Sequence, residues 1–196
     1  AVSMSVRSSG VLMPIFSLPS PYGVGTLGRQ AREFADFLAR GGQSHWQILP
    51  IGPTGYGDSP YQSFSSQAGN PYLIDLDELE QQGLLEREEY ASLPWGDDPE
   101  RVDYQALYRL RLPVLRRACD RLLSRPPAAF DRFCLLHQAW LDDYALFMAL
   151  KEQYGGAPWL EWPEDIRLRR PRAMALAKKE LEDDIRFWQG VQYLFL

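Results

Sequence analysis

The chain has 196 residues, 45% of them hydrophobic and 24% charged, a balance typical of a folded globular protein rather than a disordered one. The formal net charge of −5 argues against nucleic-acid binding, and the basic run Arg167–Arg172 is too short to be more than a solvated surface segment. Neither a signal-peptide core nor a membrane-spanning apolar stretch is present, and Cys119 and Cys134 predict reduced, buried thiols in a cytoplasmic protein.

The first fifty residues predict a strand, a helix and a second strand. The strands are predicted at Val11–Ile15 and Trp46–Pro50, which are apolar and bounded by glycine or proline. The helix is predicted at Gly28–Arg40, with Thr26 as its N-cap and the pair at Gly41 ending it. Such βαβ units build parallel sheets and barrels.

A long loop, residues 51–71, follows the second strand. It contains four glycines and three prolines, so neither a strand nor a helix is expected there. Its glycines permit unusual backbone geometry, and its prolines limit the freedom of the polar and aromatic side chains that it displays. Tyrosine rings with hydroxyl and carboxylate neighbours suit a neutral polyhydroxyl ligand, although a purely structural Ω-type loop is an equal alternative on composition alone.

The rest of the chain is predicted to be mainly helical. Tyr72–Leu76 is interpreted as a possible further strand, and Asp75 as the cap of the helix that follows. Apolar residues at helical spacing then predict five helices, at Asp77–Gln82, Glu86–Ala91, Tyr104–Arg125, Pro127–Tyr154 and Pro171–Leu196.

Several motifs resemble those of glycoside hydrolase family 77, the 4-α-glucanotransferases. The stretch Trp46–Ser65, which contains Tyr-Gly-Asp-Ser-Pro-Tyr, is the most specific of them. Similar motifs occur at Ser9–Gly28, Ala68–Leu79, Val102–Tyr104 and Phe187–Phe195. Strong similarity covers residues 9–79, and the helical remainder resembles the family more in pattern than in motif.

The resemblance implies an α/β fold: the start of a (β/α)8 barrel in residues 1–76, followed by a mainly α-helical inserted subdomain in residues 77–196. The implied activity transfers a 1,4-α-glucan segment to a new 4-hydroxyl group with retention, without a cofactor or a metal. Retaining transfer needs two catalytic carboxyl groups, which we expect beyond Leu196 in later barrel strands. The residues that match the family's glucan contacts are Tyr61, Ser59, Asp58, Tyr56 and, in a looser alignment, Tyr104.

Other functions are less favoured by the residues. Asp58 has no second carboxylate with a comparable claim, and His45 and His137 lie too far apart in sequence to suggest a metal site. Two further hypotheses remain: a non-catalytic glucan-binding fragment, or a helical interaction module in residues 104–196 with an exposed apolar stripe. Because two barrel strands alone leave open edges, we also expect the chain to self-associate unless its helices cover them.

Overall fold

The structure is a computed structural model that describes residues 7–55, 57–98 and 100–196. The chain forms two compact units. The first comprises the described residues of Ala1–Phe64 and Gly69–Val114, and the second comprises Ser65–Ala68 and Leu115–Leu196. Within the described residues, no helix has both the length and the apolar character needed to cross a membrane.

A two-stranded parallel sheet opens the first unit. It pairs β1 (Gly10–Leu12) with β2 (His45–Gln47), with Val11 opposite Trp46. The strands approach closely at their first pair, where a Cβ on Gly10 would collide with the His45 carbonyl oxygen. The predicted strand–helix–strand order with parallel strands is confirmed.

Both strands are shorter than predicted and begin one residue earlier. The predictions were Val11–Ile15 and Trp46–Pro50, and the residues beyond Leu12 and Gln47 lie outside the two strands. Pro14 has no backbone N–H to donate to a sheet, and it precedes a 3-10 turn at Ile15–Ser17. Pro50 likewise lacks a backbone donor, and it lies three residues beyond the end of β2.

Helix α1 (Arg29–Arg40) confirms the predicted helix, but its predicted N-cap is wrong. Gly28 occupies the N-cap position and makes no side-chain cap. The Thr26 hydroxyl instead donates to a carboxylate oxygen of Asp75 at 2.5 Å, a partner 49 residues away. The helix ends as predicted, because Gly41 is its C-cap and Gly42 has a φ of 70°.

The predicted strand at Tyr72–Leu76 is wrong. Pro71–Leu73 is a 3-10 turn, in which the Asn70 side chain accepts a hydrogen bond from the Tyr72 backbone N–H at 2.9 Å. Helix α2 (Leu76–Gln81) follows, and Asp75 caps it by accepting from the backbone N–H of Glu78, as predicted. Two capping side chains therefore override the apolar run, because each satisfies backbone donors locally.

The helix predicted for Glu86–Ala91 is reduced to a 3-10 turn at Arg87–Glu89. The fully buried Tyr90 ends this turn, because its hydroxyl bonds to the carboxylates of Asp77 and Glu80 on α2. Tertiary burial of one tyrosine therefore outweighs the local helical pattern.

The two long helices match their predictions to within one residue at each end. Helix α3 (Tyr104–Ser124) contributes to both units, and α4 (Ala128–Gln153) belongs to the second. Pro113 lies inside α3, where it removes one backbone donor without ending the helix.

The single helix predicted for Pro171–Leu196 is two helices. A short helix, α5 (Glu164–Arg167), comes first, and then α6 (Pro171–Glu180) and α7 (Glu182–Phe195) meet at Leu181. A reversal of charge marks the junction. Lysines close α6 and three acidic residues open α7, which is the arrangement that the two helix dipoles favour.

Helices α4 and α7 pack against each other in the core of the second unit. This core contains Cys119, which is fully buried, and a Cβ added to Gly190 would lie 3.2 Å from the Cys119 sulfur. Burial raises the pKa of the Cys119 thiol to about 12. Both cysteines are free, but Cys134 is only half-buried, so the prediction of two buried thiols is wrong for that residue.

Arg116 connects three helices of the second unit. Its guanidinium group donates to Asp184 on α7 at 3.0 Å and to Glu152 on α4 at 3.3 Å, and it lies 4.0 Å above the Phe187 ring. The Glu152 carboxylate also accepts from the Trp188 indole N–H at 3.1 Å. Burial is the largest influence on Glu152 and raises the pKa of its carboxyl above the ordinary value, despite these favourable contacts.

Candidate functional site

The loop of residues 51–71 is closed at its base by hydrogen bonds. The Asn70 backbone N–H donates to the Ile51 carbonyl at 2.8 Å. Closer to the tip, Thr54 and Ser63 form an isolated antiparallel bridge. We call the described residues of this segment (54–55 and 57–63) the tip, and a hydrogen bond from the Gln62 backbone N–H to the Ser59 carbonyl forms a turn within it.

Asp58 has the most unusual backbone in the tip. Its φ is 52°, directly after Gly57 with a φ of 88°. This left-handed conformation is costly for most residues, but aspartate tolerates it better because its short side chain can hydrogen-bond locally. Here the Asp58 backbone N–H donates to Gly55, and one carboxylate oxygen, Oδ1, accepts from the Thr54 hydroxyl at 3.4 Å.

A second hydroxyl reaches the same carboxylate oxygen from outside the loop. Tyr108, on α3, donates to Asp58 Oδ1 at 3.0 Å. Tyr104 lies four residues earlier, so the two tyrosines project from the same face of the helix. Burial and the Asp58 charge raise the pKa of both phenols, so both remain protonated at neutral pH.

Asp58 and Tyr104 line one small cavity of about 20 Å³, together with loop residues such as Thr54 and Pro60. Asp58 is the one carboxylate among the described residues that line it. A larger cavity of about 440 Å³ lies beside it, between residues 16–25 and the described part of residues 95–102, and the two share Phe16 and Val24. The small cavity therefore adjoins the larger one in the first unit.

The other predicted site residues take up different positions. Ser59 is half-buried in the same turn as Asp58, and its carbonyl oxygen accepts from the Gln62 backbone N–H at 3.1 Å. Tyr61 is 73% exposed and does not line the small cavity, so its ring is free to stack on a ligand from solvent. The prediction for Tyr56 lies outside the described residues.

Sequence analysis missed the residues that support this arrangement. Arg111 is fully buried one helical turn after Tyr108, and its Nη2 donates to the backbone carbonyls of Tyr72, at 3.0 Å, and of Ile74. Burial lowers the pKa of the Arg111 guanidinium group to about 10, and the guanidinium carbon lies 5.7 Å from the centre of the Trp95 ring. The spacing of Tyr104, Tyr108 and Arg111 along one helix face was the available signal.

No group of three or more His, Cys, Asp or Glu side chains in the described part of the chain is arranged to hold a metal ion. The site therefore offers hydroxyl and aromatic groups around one carboxylate. Chemically, this set can donate to and accept from hydroxyl groups and can stack on apolar C–H faces.

Comparison with known proteins places this site in a family whose members are longer. The family described as 4-alpha-glucanotransferase (glycoside hydrolase family 77) matches residues 13–196. A 4-alpha-glucanotransferase from Clostridium butyricum is 46% identical over 183 residues, which are 93% of this chain and 38% of that protein. One from Thermus thermophilus is 47% identical over 193 residues, which are 96% of this chain and 38% of that protein.

A solved structure agrees with the sequence matches. The amylomaltase from Streptococcus agalactiae in complex with acarbose has a TM-score of 0.92 and 42% identity, covering 97% of this chain and 39% of that chain. The protein is thus related to carbohydrate-active enzymes. It belongs to the 4-alpha-glucanotransferase family, and it spans 38% of the length of the curated relatives that it matches.

Proposed function

We propose that this chain supplies substrate contacts to a 4-α-glucanotransferase, which moves a 1,4-α-glucan segment to a new 4-hydroxyl group of glucose or another glucan. The observation that carries the proposal is that Asp58, in the loop that bears the family's motif, lines the same small cavity as Tyr104 on α3. In this proposal, β1, α1 and β2 begin a (β/α)8 barrel, and the helices from α2 onward form an inserted subdomain. The two free thiols favour a reducing compartment, in keeping with the predicted cytoplasmic location.

Each contact has a physical role in the proposal. The exposed Tyr61 ring would stack on the C–H face of a glucose unit, while Asp58 and Ser59 would exchange hydrogen bonds with its hydroxyl groups. Tyr104 would contribute a second aromatic surface from α3, and Tyr56 is kept as a contact on the family resemblance. Since most of these groups are neutral, they match an uncharged maltooligosaccharide.

The catalytic carboxyl groups are proposed to lie outside this site. A retaining mechanism needs two carboxyl groups about 5–5.5 Å apart. Among the described residues around the small cavity, Asp58 alone carries a carboxylate, which accepts hydrogen bonds from the hydroxyls of Thr54 and Tyr108. Asp58 is therefore assigned to substrate contact and not to nucleophilic attack.

Binding can be tested by titrating the ¹⁵N-labelled chain with maltoheptaose and, separately, with acarbose. We expect chemical-shift changes concentrated in residues 51–71 and around Tyr104. Tyr61→Ala should weaken binding about fivefold, the loss of roughly 1 kcal/mol of aromatic contact. Trp159→Ala is the matched control, because Trp159 is an exposed aromatic residue of the second unit. Equal losses in both variants, or shifts confined to the second unit, would contradict the proposal.

The assignment of Asp58 is tested by incubating the chain with maltotriose. We expect neither glucose nor longer maltooligosaccharides from the 196-residue chain. Products that disappear in Asp58→Asn would overturn the assignment, since they would make Asp58 part of a complete active site.

The alternative of a helical interaction module is supported by exposed apolar side chains in residues 104–196, among them Trp159, Leu160, Leu168 and Leu176. Leu135 and Leu136 on α4 are 66% and 73% exposed. Two adjacent leucines form a small patch compared with the several hundred Å² typical of an interaction surface. Glucan contact therefore remains the better-supported function.

A further inference from the structure

A further cavity, which we call the apolar cavity, lies wholly within the second unit. Its volume is about 330 Å³, at the lower end of the range for small-molecule sites. Its walls come from α4, from the 3-10 turn Trp159–Glu161 and from α5, α6 and their connection. The described residues that line it are seven apolar side chains and two arginines: Leu146, Phe147, Leu150, Trp159, Trp162, Ile166, Met174, Arg167 and Arg169.

The floor of the apolar cavity is preformed. Leu146 and Leu150 lie one turn apart on α4 and are almost fully buried. The Trp162 ring is fixed by two contacts, because its indole N–H donates to the Ala157 carbonyl at 3.0 Å and its ring centre lies 5.5 Å from that of Phe147. A ligand would meet this apolar surface already ordered, without the cost of arranging it.

The rim of the cavity exposes apolar surface to water. Trp159 is 49% exposed although it lines the cavity, and the adjacent Leu160 is 62% exposed. Pro158 and Pro163 bracket the 3-10 turn that carries both side chains, and the proline rings restrict the backbone on either side. Apolar surface that is held in water in this way is unfavourable for the free chain and favours a contact that covers it.

The two arginines of the lining differ in their partners. Arg169 is paired with Asp143 at an N–O distance of 2.6 Å, so its charge is largely balanced. Arg167 donates to the carbonyl of Leu160 at 3.0 Å, a neutral partner, and it forms no ion pair among the described residues. Arg167 is also half-buried, whereas the sequence predicted a solvated segment for the run Arg167–Arg172. The described lining contains no acidic side chain, so one unbalanced positive charge faces the cavity.

The lining favours one class of ligand. A glucan needs several donors and acceptors for its hydroxyl groups, and an almost entirely apolar set of side chains offers few. An apolar chain with a single negative charge matches better, because burial of the chain removes apolar surface from water and the anion can accept hydrogen bonds from Arg167. The nearby acids Glu164 and Asp165 pair with Arg170, at 4.0 and 2.8 Å, and leave Arg167 available.

We propose that the apolar cavity binds an amphiphilic anion of the alkyl carboxylate class. The alkyl chain lies against Trp159 and Trp162, and the carboxylate lies on Arg167. The inference is independent of the glucan contacts proposed for the first unit, since the two sites share no residue.

Titration of the ¹⁵N-labelled chain with decanoate tests the proposal, because the indole N–H signals of Trp159 and Trp162 report on the cavity directly. Both signals should shift and saturate, while the signal of the buried Trp188, whose indole N–H donates to Glu152, should not. Decanoate should bind roughly tenfold more tightly than octanoate, because two further CH₂ groups are buried. The absence of saturable shifts, or equal affinity for the two carboxylates, would overturn the proposal. So would a collapse of the whole spectrum, which would indicate unfolding by a detergent.

Arg167→Gln tests the assignment of the carboxylate. It should weaken decanoate binding about fivefold, as expected for a partly exposed ion pair, and leave the binding of the uncharged 1-octanol unchanged. Arg167→Lys should retain most of the affinity for decanoate. Arg170→Gln is the matched control, because Arg170 belongs to the same basic run but does not line the cavity. Equal losses for decanoate and 1-octanol, or equal losses in the two glutamine variants, would overturn the assignment.

Trp159→Ala tests the contact with the alkyl chain. It should weaken the binding of decanoate and of 1-octanol alike, by about fivefold or more, because both chains lose one apolar wall. Leu136→Ala, another exposed apolar residue of the second unit, is the control and should change neither affinity. Indole shifts of Trp159 and Trp162 with maltoheptaose but not with decanoate would overturn the proposal in favour of a glucan site. Decanoate binding in a chain that does not bind maltoheptaose would support it and would count only against the proposed function.

Discussion

Replacing Arg111 should separate two contributions to the stability of the first unit: the hydrogen bonds that its side chain donates and the cost of burying its charge. The side chain is fully buried, and its Nη2 donates to the carbonyls of Tyr72 and Ile74. Its Nε and Nη1 have no partner among the described residues. The residue therefore satisfies two buried acceptors while carrying a charge that is itself poorly satisfied.

The magnitude follows from these opposing terms. Two buried carbonyls without a donor cost about 2–6 kcal/mol, at about 1–3 kcal/mol each. Burial lowers the Arg111 pKa from its ordinary value to about 10, so removing the charge returns roughly 3 kcal/mol. Truncation to alanine adds a cavity cost of about 2–5 kcal/mol, which methionine largely avoids. The balance predicts a loss of about 4 kcal/mol for Arg111→Ala and about 1 kcal/mol for Arg111→Met.

Urea denaturation followed by circular dichroism measures both variants. The alanine variant should shift the midpoint by roughly 2 M, and methionine by much less. Arg109→Ala is the matched control, because Arg109 is exposed on the same helix and should change stability by less than about 0.5 kcal/mol. An alanine variant within about 1 kcal/mol of the parent would refute the reasoning, since the two carbonyls would then not depend on Arg111.

Two further predictions concern close packing and pH. Gly28→Ala should lower the free energy of unfolding by about 2–3 kcal/mol, measured by thermal unfolding, because the added Cβ would collide with the Asp75 carboxylate. Gly55→Ala is the control and should have little effect, because a Cβ added there would meet no atom within 4 Å. Equal effects of the two substitutions would contradict the packing argument. The pKa of the Glu152 carboxyl is raised in the folded state, so the folded state binds the carboxyl proton more tightly than the unfolded state does. The contribution of Glu152 to stability therefore falls as the pH rises from the ordinary glutamate pKa through the raised one. Urea denaturation between about pH 4 and 7 should show this fall reduced in Glu152→Gln but not in the exposed Glu161→Gln, and identical profiles would count against the assignment.

The sequence predicted much of the secondary structure, because the relevant signals are local. Apolar residues at helical spacing placed α3 and α4 to within one residue, and the glycine pair at Gly41 placed the end of α1. The cap at Asp75 was likewise predictable, since an aspartate side chain bonds backbone donors a few residues away. The prediction of Thr26 as an N-cap was wrong because a distant partner, Asp75, took the side chain.

The residues of the candidate site likewise include some that the sequence predicted and others that only the structure brought to the site. Asp58, Ser59 and Tyr61 were predicted from one continuous motif, whose glycines and prolines fix a turn by themselves. The structure adds Tyr104 to the surroundings of Asp58, although only the family resemblance had suggested it. Tyr108 was not predicted, because its role depends on a hydrogen bond across 50 residues.

By itself, the sequence determined the family, the parallel βαβ start, the two long helices and the motif of the loop. These depend on residue type and on spacing over a few turns of chain, where backbone sterics and hydrogen bonds act locally. Only the tertiary structure decided that Arg111 is buried beneath the Tyr72 segment and that Tyr108 reaches Asp58. Burial and long-range hydrogen bonds depend on which surfaces meet when the chain folds, and no local pattern specifies that meeting.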